Sequence, residues 1–192
     1  MEEKKLSFTF RLLRGLGFNY SEEEYGDVSL WRVIKQFFAN IRSKFLCNMM
    51  DWAIIEPFAP RKLRPWILRR LGCKIGKNVF IGDHVRIDAG HADMITLEDG
   101  VSVAGGTRLL CHQRDFSEYY VGSDYNKLRY SIKPIVLKKG CLIGMESFVL
   151  PGVTVGEGAI VGAGSLVVKD IPDWTVATGR PARVVKEIAE RK

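Results

Sequence analysis

From residue 75 onwards, the chain places a branched aliphatic residue at every sixth position. Twelve such six-residue units can be written, with breaks after residues 92 and 114. A helix cannot keep every sixth residue on one face, and a regular strand would make every second residue apolar. A short strand followed by a turn, repeated every six residues, fits the pattern. The first positions are Ile75, Ile81, Ile87, Leu97, Val103, Leu109, Leu137, Ile143, Val149, Val155, Val161 and Val167.

Three units close one triangular coil, so the repeat predicts four coils: 75–92, 97–114, 137–154 and 155–172. The inward-facing residues of one coil stack on those of the next, about 4.8 Å away. One coil cannot bury its own apolar face, and therefore the coils must stack. The predicted fold is an all-β parallel solenoid over 75–172, interrupted by an inserted loop over 115–136.

The rest of the chain forms two flanking regions. Residues 1–74 are predicted to be a mainly helical region, and 173–192 a turn followed by a short C-terminal helix. The net charge of +7 is uneven, because 1–74 holds 14 Lys and Arg against 8 Asp and Glu, whereas 75–192 is close to neutral. A basic region on a near-neutral body indicates an anionic surface or partner.

An amphipathic helix is predicted over 28–55, where apolar residues recur at steps of three and four. Its bases lie largely on the other side. Two placements are open: the helix lies on a membrane surface, or it caps the open end of the solenoid. No apolar run has the roughly 20 residues that cross a bilayer, and the N-terminus does not read as a secretory signal. We expect a cytoplasmic protein, with the inner face of the membrane as the site of any peripheral contact.

Four cysteines are present, and their spacing matches neither a redox pair nor a zinc module. The small, apolar character of cysteine favours buried, reduced thiols. These residues are Cys47, Cys73, Cys111 and Cys141.

The segment 151–188, PGVTVGEGAIVGAGSLVVKDIPDWTVATGRPARVVKEI, resembles the C-terminal signature of the hexapeptide-repeat acyltransferases. The nearest groups are the galactoside, maltose, nodulation-factor and polysaccharide O-acetyltransferases, and the resemblance covers about residues 70–190. It implies a left-handed β-helix and a homotrimer with active sites between subunits. It also implies acetyl-CoA as co-substrate, and neither a nucleic acid partner nor a required metal.

His112 is the candidate catalytic base. Its unperturbed pKa of about 6.5 suits proton transfer near neutral pH. It precedes the 115–136 insertion, and in the resemblance CHQRD (111–115) aligns with the catalytic position. Adjacent side chains on a strand point to opposite faces, so a covalent role for Cys111 is disfavoured. Backbone carbonyls, Asp115 or Glu146 are open candidates for orienting the ring.

The other histidines have different predicted roles. His84 is expected at a solvated turn, and the histidine spacing does not match the three-histidine zinc site of β-helix carbonic anhydrases. The break after the first coil and the insertion depart from the repeat, and they are the predicted walls of the acceptor site. The predicted acceptor-binding residues are Asp88, His91, Asp115 and Tyr125.

The donor groove is assigned by resemblance. Small or exposed turn residues would lie along the pantetheine arm, and a backbone N–H of Gly144 or Met145 would meet the oxyanion. Arg183 and Lys186 would share one face of the C-terminal helix and meet the nucleotide phosphates. The predicted groove residues are Gly144, Met145, Ala163, Gly164, Val168, Lys169, Arg183 and Lys186.

The resulting hypothesis is direct acetyl transfer to a sugar or glycan hydroxyl during polysaccharide synthesis. Two alternatives are open. The first is N-acetylation of a nucleotide-linked amino sugar. The second is a non-catalytic β-helix scaffold without affinity for coenzyme A.

Overall fold

The computed structural model describes residues 6–17, 26–52 and 59–190, which fall into two compact units, Met1–Phe45 and Leu46–Lys192. In the first unit, α1 (Phe8–Gly15) begins at Ser7, whose side chain accepts a hydrogen bond from the Phe10 N–H. α2 (Leu30–Met49) has no buried residue. It lies within the predicted 28–55 helix, whose last three residues are outside the described part. No helix in the described ranges is long and apolar enough to cross a membrane.

The second unit begins with the last turn of α2, and α3 (Arg64–Leu71) follows a short π-helical turn, Ala59–Leu63. Ile67 and Leu68 of α3 are fully buried in the core cluster. The buried Arg64 donates hydrogen bonds to the carbonyls of Met50 and Ile81 at 2.8 and 3.3 Å. The first end of the solenoid is therefore covered by α3 and the residues that follow α2.

Three sheets form the body, and their strands are parallel except for the last two strands of the second sheet. The first contains β1 (Lys74–Ile75), β4 (Ile95–Leu97), β9 (Ile135–Leu137) and β12 (Thr154–Val155). The second contains β2 (Phe80–Ile81), β5 (Ser102–Val103), β10 (Leu142–Ile143), β13 (Ile160–Val161), β15 (Thr175–Gly179) and β16 (Ala182–Glu187). The third contains β3 (Arg86–Ile87), β6 (Arg108–Leu109), β11 (Phe148–Val149) and β14 (Leu166–Val167).

The strand register follows the repeat. Ile143 pairs with Val103 on one side and with Val161 on the other, so first positions stack on first positions. Ile143, Val103 and Val161 are fully buried. Buried hydroxyls also join the layers, because Thr107 donates to the Gly144 carbonyl and Ser147 to the Gly162 carbonyl. The interior is therefore an aliphatic stack with a satisfied hydroxyl ladder.

The insertion over 115–136 is partly ordered as a hairpin rather than a plain loop. β7 (His112–Arg114) pairs antiparallel with β8 (Tyr130–Ile132), and a short 3-10 helix, Tyr125–Lys127, lies between them. His112 is opposite Ile132 in this ladder. The hairpin fixes the strand that carries the candidate base.

The predicted C-terminal helix is wrong. β15 and β16 form an antiparallel hairpin, with Pro181 in the turn instead of in the first turn of a helix. Val184 and Val185 are β-branched and favour a strand, and β15 offers an edge with which they pair. A proline before an amphipathic run was an ambiguous signal, and the free sheet edge decided the outcome.

Candidate active site

Asp88 lies at the centre of a group of three residues, in which it contacts His91 and His112. The side chain is 8% exposed, and its Oδ2 accepts hydrogen bonds from Nδ1 of both His112 and His91, the latter at 3.1 Å. The His112 side chain is 41% exposed. One buried carboxylate thus anchors two imidazoles that are open to solvent on their other side.

The stacking of two coils explains this meeting. Ile87 pairs with Leu109, and the Asp88 N–H donates to the Leu109 carbonyl at 3.1 Å. Asp88 is therefore fixed beside the strand that leads to His112. The residues that lead into the first break form two short 3-10 turns over Ala89–Met94, with a kink at His91, and the His91 N–H donates to the Asp88 carbonyl. That turn returns the His91 ring to the carboxylate.

The electrostatics set the tautomer of His112. Burial alone would raise the pKa of Asp88, but the hydrogen bonds and charges of His112 and His91 outweigh it and hold the pKa below its ordinary value. An ionised carboxylate only accepts, so Nδ1 of His112 carries the donated proton. In the neutral ring, Nε2 is then unprotonated, and within the described residues it has no partner. A solvent-facing lone pair on an oriented imidazole is the geometry of a general base.

Aromatic and cationic groups hold the ring from the insertion side. The Tyr130 ring lies edge-on to His112 with centroids 5.4 Å apart. The Arg114 guanidinium lies 4.0 Å from the Tyr130 centroid and donates to the Leu128 carbonyl. Its Nε is buried and lacks a hydrogen-bond partner among the described residues. Arg114 also lies 5.2 Å from the ring centroid of Tyr125, a predicted acceptor-binding residue.

Cys111, next to His112 in sequence, points into the core. It is fully buried, and burial raises the pKa of its thiol to about 11. A protonated, enclosed thiol is not a nucleophile at neutral pH. Burial also raises the pKa of Cys73 and of Cys141 to about 12. All four cysteines are free, and Cys47 is half-buried.

Neither acidic side chain proposed from the sequence as an orienting group contacts His112. Asp115 is exposed, and its carboxylate accepts the Ser117 N–H at 3.0 Å, which lowers the pKa of Asp115. Glu146 is exposed in a left-handed conformation with φ 54°. Asp88 makes the contact instead. The signal in the sequence was the register of the coils. Asp88 follows Ile87, the first position of its unit, and Ile87 stacks on Leu109, the first position of the unit that contains His112.

Asp115 also lines a polar cleft in the insertion. The cleft has a volume of about 700 Å³. Carboxylates, hydroxyls and one guanidinium dominate its wall. The lining residues are Asp115, Ser117, Glu118, Ser123, Asp124, Leu128 and Arg129.

Gly144, predicted to lie in the donor groove, has a packing role. A Cβ on Gly144 would lie 2.5 Å from the backbone nitrogen of Ala163, so only glycine allows these coils to approach. Its N–H donates to the Val161 carbonyl and is not available to an oxyanion. Among the described residues, none accepts a hydrogen bond from the Met145 N–H. Of the two predicted oxyanion donors, the geometry therefore leaves Met145.

The remaining predicted groove residues lie at neighbouring turns. Met145 is 58% exposed, and its carbonyl accepts the Gly164 N–H at 2.7 Å. Ala163 and Lys169 are exposed, whereas Val168 is half-buried. Met145 and Ala163 follow the paired strands β10 and β13 at one corner of the stack, whereas Val168 and Lys169 follow β14 at the next corner.

Arg183 and Lys186 share a face, although not on a helix. On a regular strand, residues three apart point to opposite faces. The register of β16 shifts between its pairs with Val176 and Ala177, so that Arg183 is opposite Thr178 and Lys186 is opposite Val176. This β-bulge inserts one residue and returns the two bases to the same side.

The Asp88 trio also has a donor set that a metal could use. One ligand atom from each of Asp88, His91 and His112 lies within 4.8 Å of the others. The hydrogen bonds to Asp88 already account for this spacing. His84 is not part of the group, because its Nδ1 lies 3.4 Å from Asp51 at a separate turn. That the reaction requires no metal stays a prediction.

A family model described as bacterial transferase hexapeptide (six repeats) matches residues 134–169. WcaF of Escherichia coli, whose name describes an acetyltransferase of colanic acid biosynthesis, is 34% identical over 158 residues. That alignment covers 72% of this chain and 86% of WcaF. The match is long and includes most of the relative.

Two solved structures are similar as well. A maltose O-acetyltransferase from Clostridium difficile is 26% identical with a TM-score of 0.60, covering 77% of this chain and 85% of that one. A mutant of AntD, an N-acyltransferase from Bacillus cereus in complex with dTDP and coenzyme A, is 27% identical with a TM-score of 0.53. That alignment covers 60% of this chain and 63% of AntD, which is less than two thirds of AntD.

Proposed function

Because this chain belongs to the hexapeptide-repeat acetyltransferases, we propose that it is an acetyl-CoA-dependent O-acetyltransferase acting on a sugar or glycan hydroxyl. The observation that carries the proposal is the hydrogen bond between Asp88 and Nδ1 of His112, which leaves Nε2 as a solvent-facing base. The similarity to a maltose O-acetyltransferase supports a sugar acceptor. The similarity to an N-acyltransferase in complex with coenzyme A supports the donor.

In the proposed reaction, Nε2 of His112 removes the proton of the acceptor hydroxyl as its oxygen attacks the thioester carbon. The Met145 N–H stabilises the oxyanion. The carbon–sulfur bond then breaks, and the imidazolium returns the proton to the leaving thiolate. The products are an acetyl ester and coenzyme A. Asp88 stabilises the imidazolium between the two proton transfers.

The acceptor is proposed to lie against the departures from the repeat. The polar cleft supports this assignment, because carboxylate and hydroxyl side chains bind polyhydroxylated ligands well. Tyr125 and the other exposed aromatic rings of the insertion offer faces for a sugar ring. His91 and Asp115 remain proposed acceptor-binding residues, and Asp88 combines such a role with its contact to His112.

The proposal includes a left-handed β-helix of four coils and a homotrimer with active sites between subunits, both supported by membership in the family. Arg183 and Lys186 are proposed to meet the nucleotide phosphates. The proposed location is the cytoplasm, at the inner face of the membrane where a lipid-linked glycan would be accessible.

A coenzyme A release assay with purified protein tests the proposal across free sugars, nucleotide sugars and lipid-linked glycans. We expect His112→Asn to lower turnover by about 10²- to 10⁴-fold, the usual contribution of a general base. His84→Asn is the matched control, since this exposed histidine also lies near a carboxylate and should leave turnover unchanged. Full turnover by His112→Asn would disprove the assigned base.

The N-acetylation alternative is favoured by the similarity to AntD, which is named an N-acyltransferase. The same assay separates the two reactions, because release with amino sugars but not with alcohols would select N-acetylation. Calorimetry with coenzyme A separates both from a scaffold, which would show no binding. His112→Asn should retain that binding, because His112 is assigned to proton transfer.

A further inference from the structure

α2 carries a continuous exposed apolar stripe. The helix has 20 residues, none of which is buried. Seven large apolar side chains on it are between 37% and 74% exposed. Residues on an α-helix advance by about 100° each, which places these seven within an arc of about 120°. They are Leu30, Trp31, Ile34, Phe37, Phe38, Ile41 and Phe45.

The charge on α2 has one sign. Arg32, Lys35, Arg42 and Lys44 are its charged residues, and its sequence contains no Asp or Glu. Arg42 lies about 20° beyond Trp31 at one border of the stripe, and Lys44 about 20° beyond Phe37 at the other. Basic residues at both borders can extend their charged ends into water while their aliphatic stems cover apolar surface.

The opposite face is polar. Gln36 donates a side-chain hydrogen bond to Asn40 at 2.9 Å, and both residues are exposed. This pair lies across the helix from the apolar stripe. α2 therefore has an apolar face, a basic residue at each border and a polar face that also carries Arg32, which is the distribution of an interfacial helix.

We propose that α2 binds flat on an anionic membrane surface, with its apolar stripe at the headgroup boundary. The four bases attract anionic headgroups, and each base adds to the electrostatic attraction when it lies near the surface. Trp31 suits the boundary because its ring is apolar and its N–H is polar. α1 also exposes two large apolar side chains on one of its sides, Phe8 and Leu12.

A symmetric pair formed with the α2 helix of a second copy is a less suitable alternative. Packing α2 against α2 would bring four cations towards four cations, with no acidic residue on either helix to offset them. Like charges repel at short range, and the repulsion grows as water is excluded. The charge pattern therefore favours an anionic lipid surface over a symmetric helix pair. The inference does not depend on which acceptor the enzyme uses.

Vesicle co-sedimentation of the full-length protein tests the inference. We expect binding to vesicles of equal parts phosphatidylglycerol and phosphatidylcholine, weak binding to phosphatidylcholine alone, and loss of binding as salt rises. Changing Arg32, Lys35, Arg42 and Lys44 to Gln should lower partitioning on the order of a hundredfold. A matched variant changes four exposed bases of the second unit, Lys62, Lys74, Lys77 and Lys139, to Gln and should partition within about fivefold of the wild type, because only long-range attraction is lost.

A second variant separates lipid binding from self-association. Ile34→Ser with Phe38→Ser removes the centre of the stripe and should abolish vesicle binding without changing the sedimentation coefficient. The inference is overturned if that variant sediments as a smaller oligomer, or if wild-type protein does not bind anionic vesicles at low salt. Transfer to a soluble acceptor, measured in parallel, reports on the fold and on the proposed activity independently of lipid.

Discussion

Asp88 and His112 lie 24 residues apart in the chain, and Oδ2 of Asp88 accepts a hydrogen bond from Nδ1 of His112. Asp88 belongs to the last six-residue unit before the first break in the repeat, and His112 belongs to the last unit before the second. The units that precede the two breaks therefore meet at one carboxylate. His91, in the same unit as Asp88, joins them through the same oxygen atom.

Asp88→Asn should lower kcat by about a hundredfold, within the range of general acid–base contributions. The amide has no charge to stabilise the imidazolium, and its NH₂ group can select the wrong tautomer. The KM for acetyl-CoA should stay within about twofold, because the contact acts on the reacting centre. Steady-state kinetics measures both.

Asp51→Asn is the control for this variant. Asp51 lies beside His84 and forms an ion pair with Arg86 at 2.9 Å, so a carboxylate–histidine pair is also disturbed. We expect its kcat to match that of the wild type. An equal loss in both variants would show that general destabilisation, and not orientation of His112, explains the result.

Acid stability should also report on Asp88. Its pKa lies below the ordinary value, so between the two pKa values the unfolded chain binds more protons and stability rises with pH. The contribution is complete above the unfolded pKa and is lost as pH falls through the folded pKa. The difference in unfolding free energy between wild type and Asp88→Asn should therefore shrink from about pH 5 to pH 3.

Denaturant titrations at several pH values give this difference. Glu118→Gln, which changes an exposed carboxylate, should differ from the wild type by a small and nearly constant amount. If the Asp88→Asn difference stayed constant or grew in acid, the depressed pKa of Asp88 would be contradicted.

His91→Asn should act through Asp88. The ring holds the carboxylate at 3.1 Å, so its loss should lower kcat by about three- to tenfold, less than the loss of Asp88 itself. In the double variant with Asp88→Asn, the two effects should not add, because they share one contact. The proposed contact of His91 with the acceptor should show separately, as a higher KM for the acceptor. Additive effects on kcat in the double variant would show that His91 does not act through Asp88.

Much of the solenoid could be predicted from the sequence because a single spacing rule fixes it. Each first position must be aliphatic, and Ile143 stacks on Val161 wherever the rule holds. The contact between Asp88 and His112 needed a second inference. It requires the register between the first and second coils, together with the path of the 3-10 turns that follow Asp88.

The C-terminal hairpin could not be predicted from local pattern. Pro181, followed by two bases three residues apart, is compatible with a helix, and only the unpaired edge of β15 favours a strand. Arg183 and Lys186 nevertheless lie on one face, because the β-bulge in β16 inserts one residue between them. A local sequence pattern predicts secondary structure poorly where pairing with a neighbouring strand competes with a weak local preference.

Cys111→Ala should leave kcat within about twofold of the wild type, because the pKa of this thiol is raised to about 11 and the thiol is not a nucleophile. The protein should lose on the order of 1 kcal/mol of stability from the small cavity. Preincubation with iodoacetamide should not inactivate through this residue. Mass spectrometry that finds acetyl-Cys111 during turnover would establish a covalent route.

Arg183→Gln combined with Lys186→Gln should raise the KM for acetyl-CoA by about tenfold or more without changing kcat at saturation, since two charge-assisted contacts are lost. The bulge in β16 places both bases on one face, so one anionic group can reach them together. In the wild type, the KM for acetyl-CoA should rise with salt concentration, because salt screens the attraction between the two bases and the phosphates.

Acetyl-pantetheine, which lacks the nucleotide phosphates, separates recognition from folding. Wild type and double variant should have equal kcat/KM with this donor, because no phosphate is present for the bases to bind. Lys77→Gln with Lys139→Gln removes the same charge from exposed positions away from the hairpin and should change neither donor's KM by more than about twofold. If the double variant lost activity equally on both donors, the bases would be acting through the hairpin fold or through general charge, and the phosphate contact would be rejected.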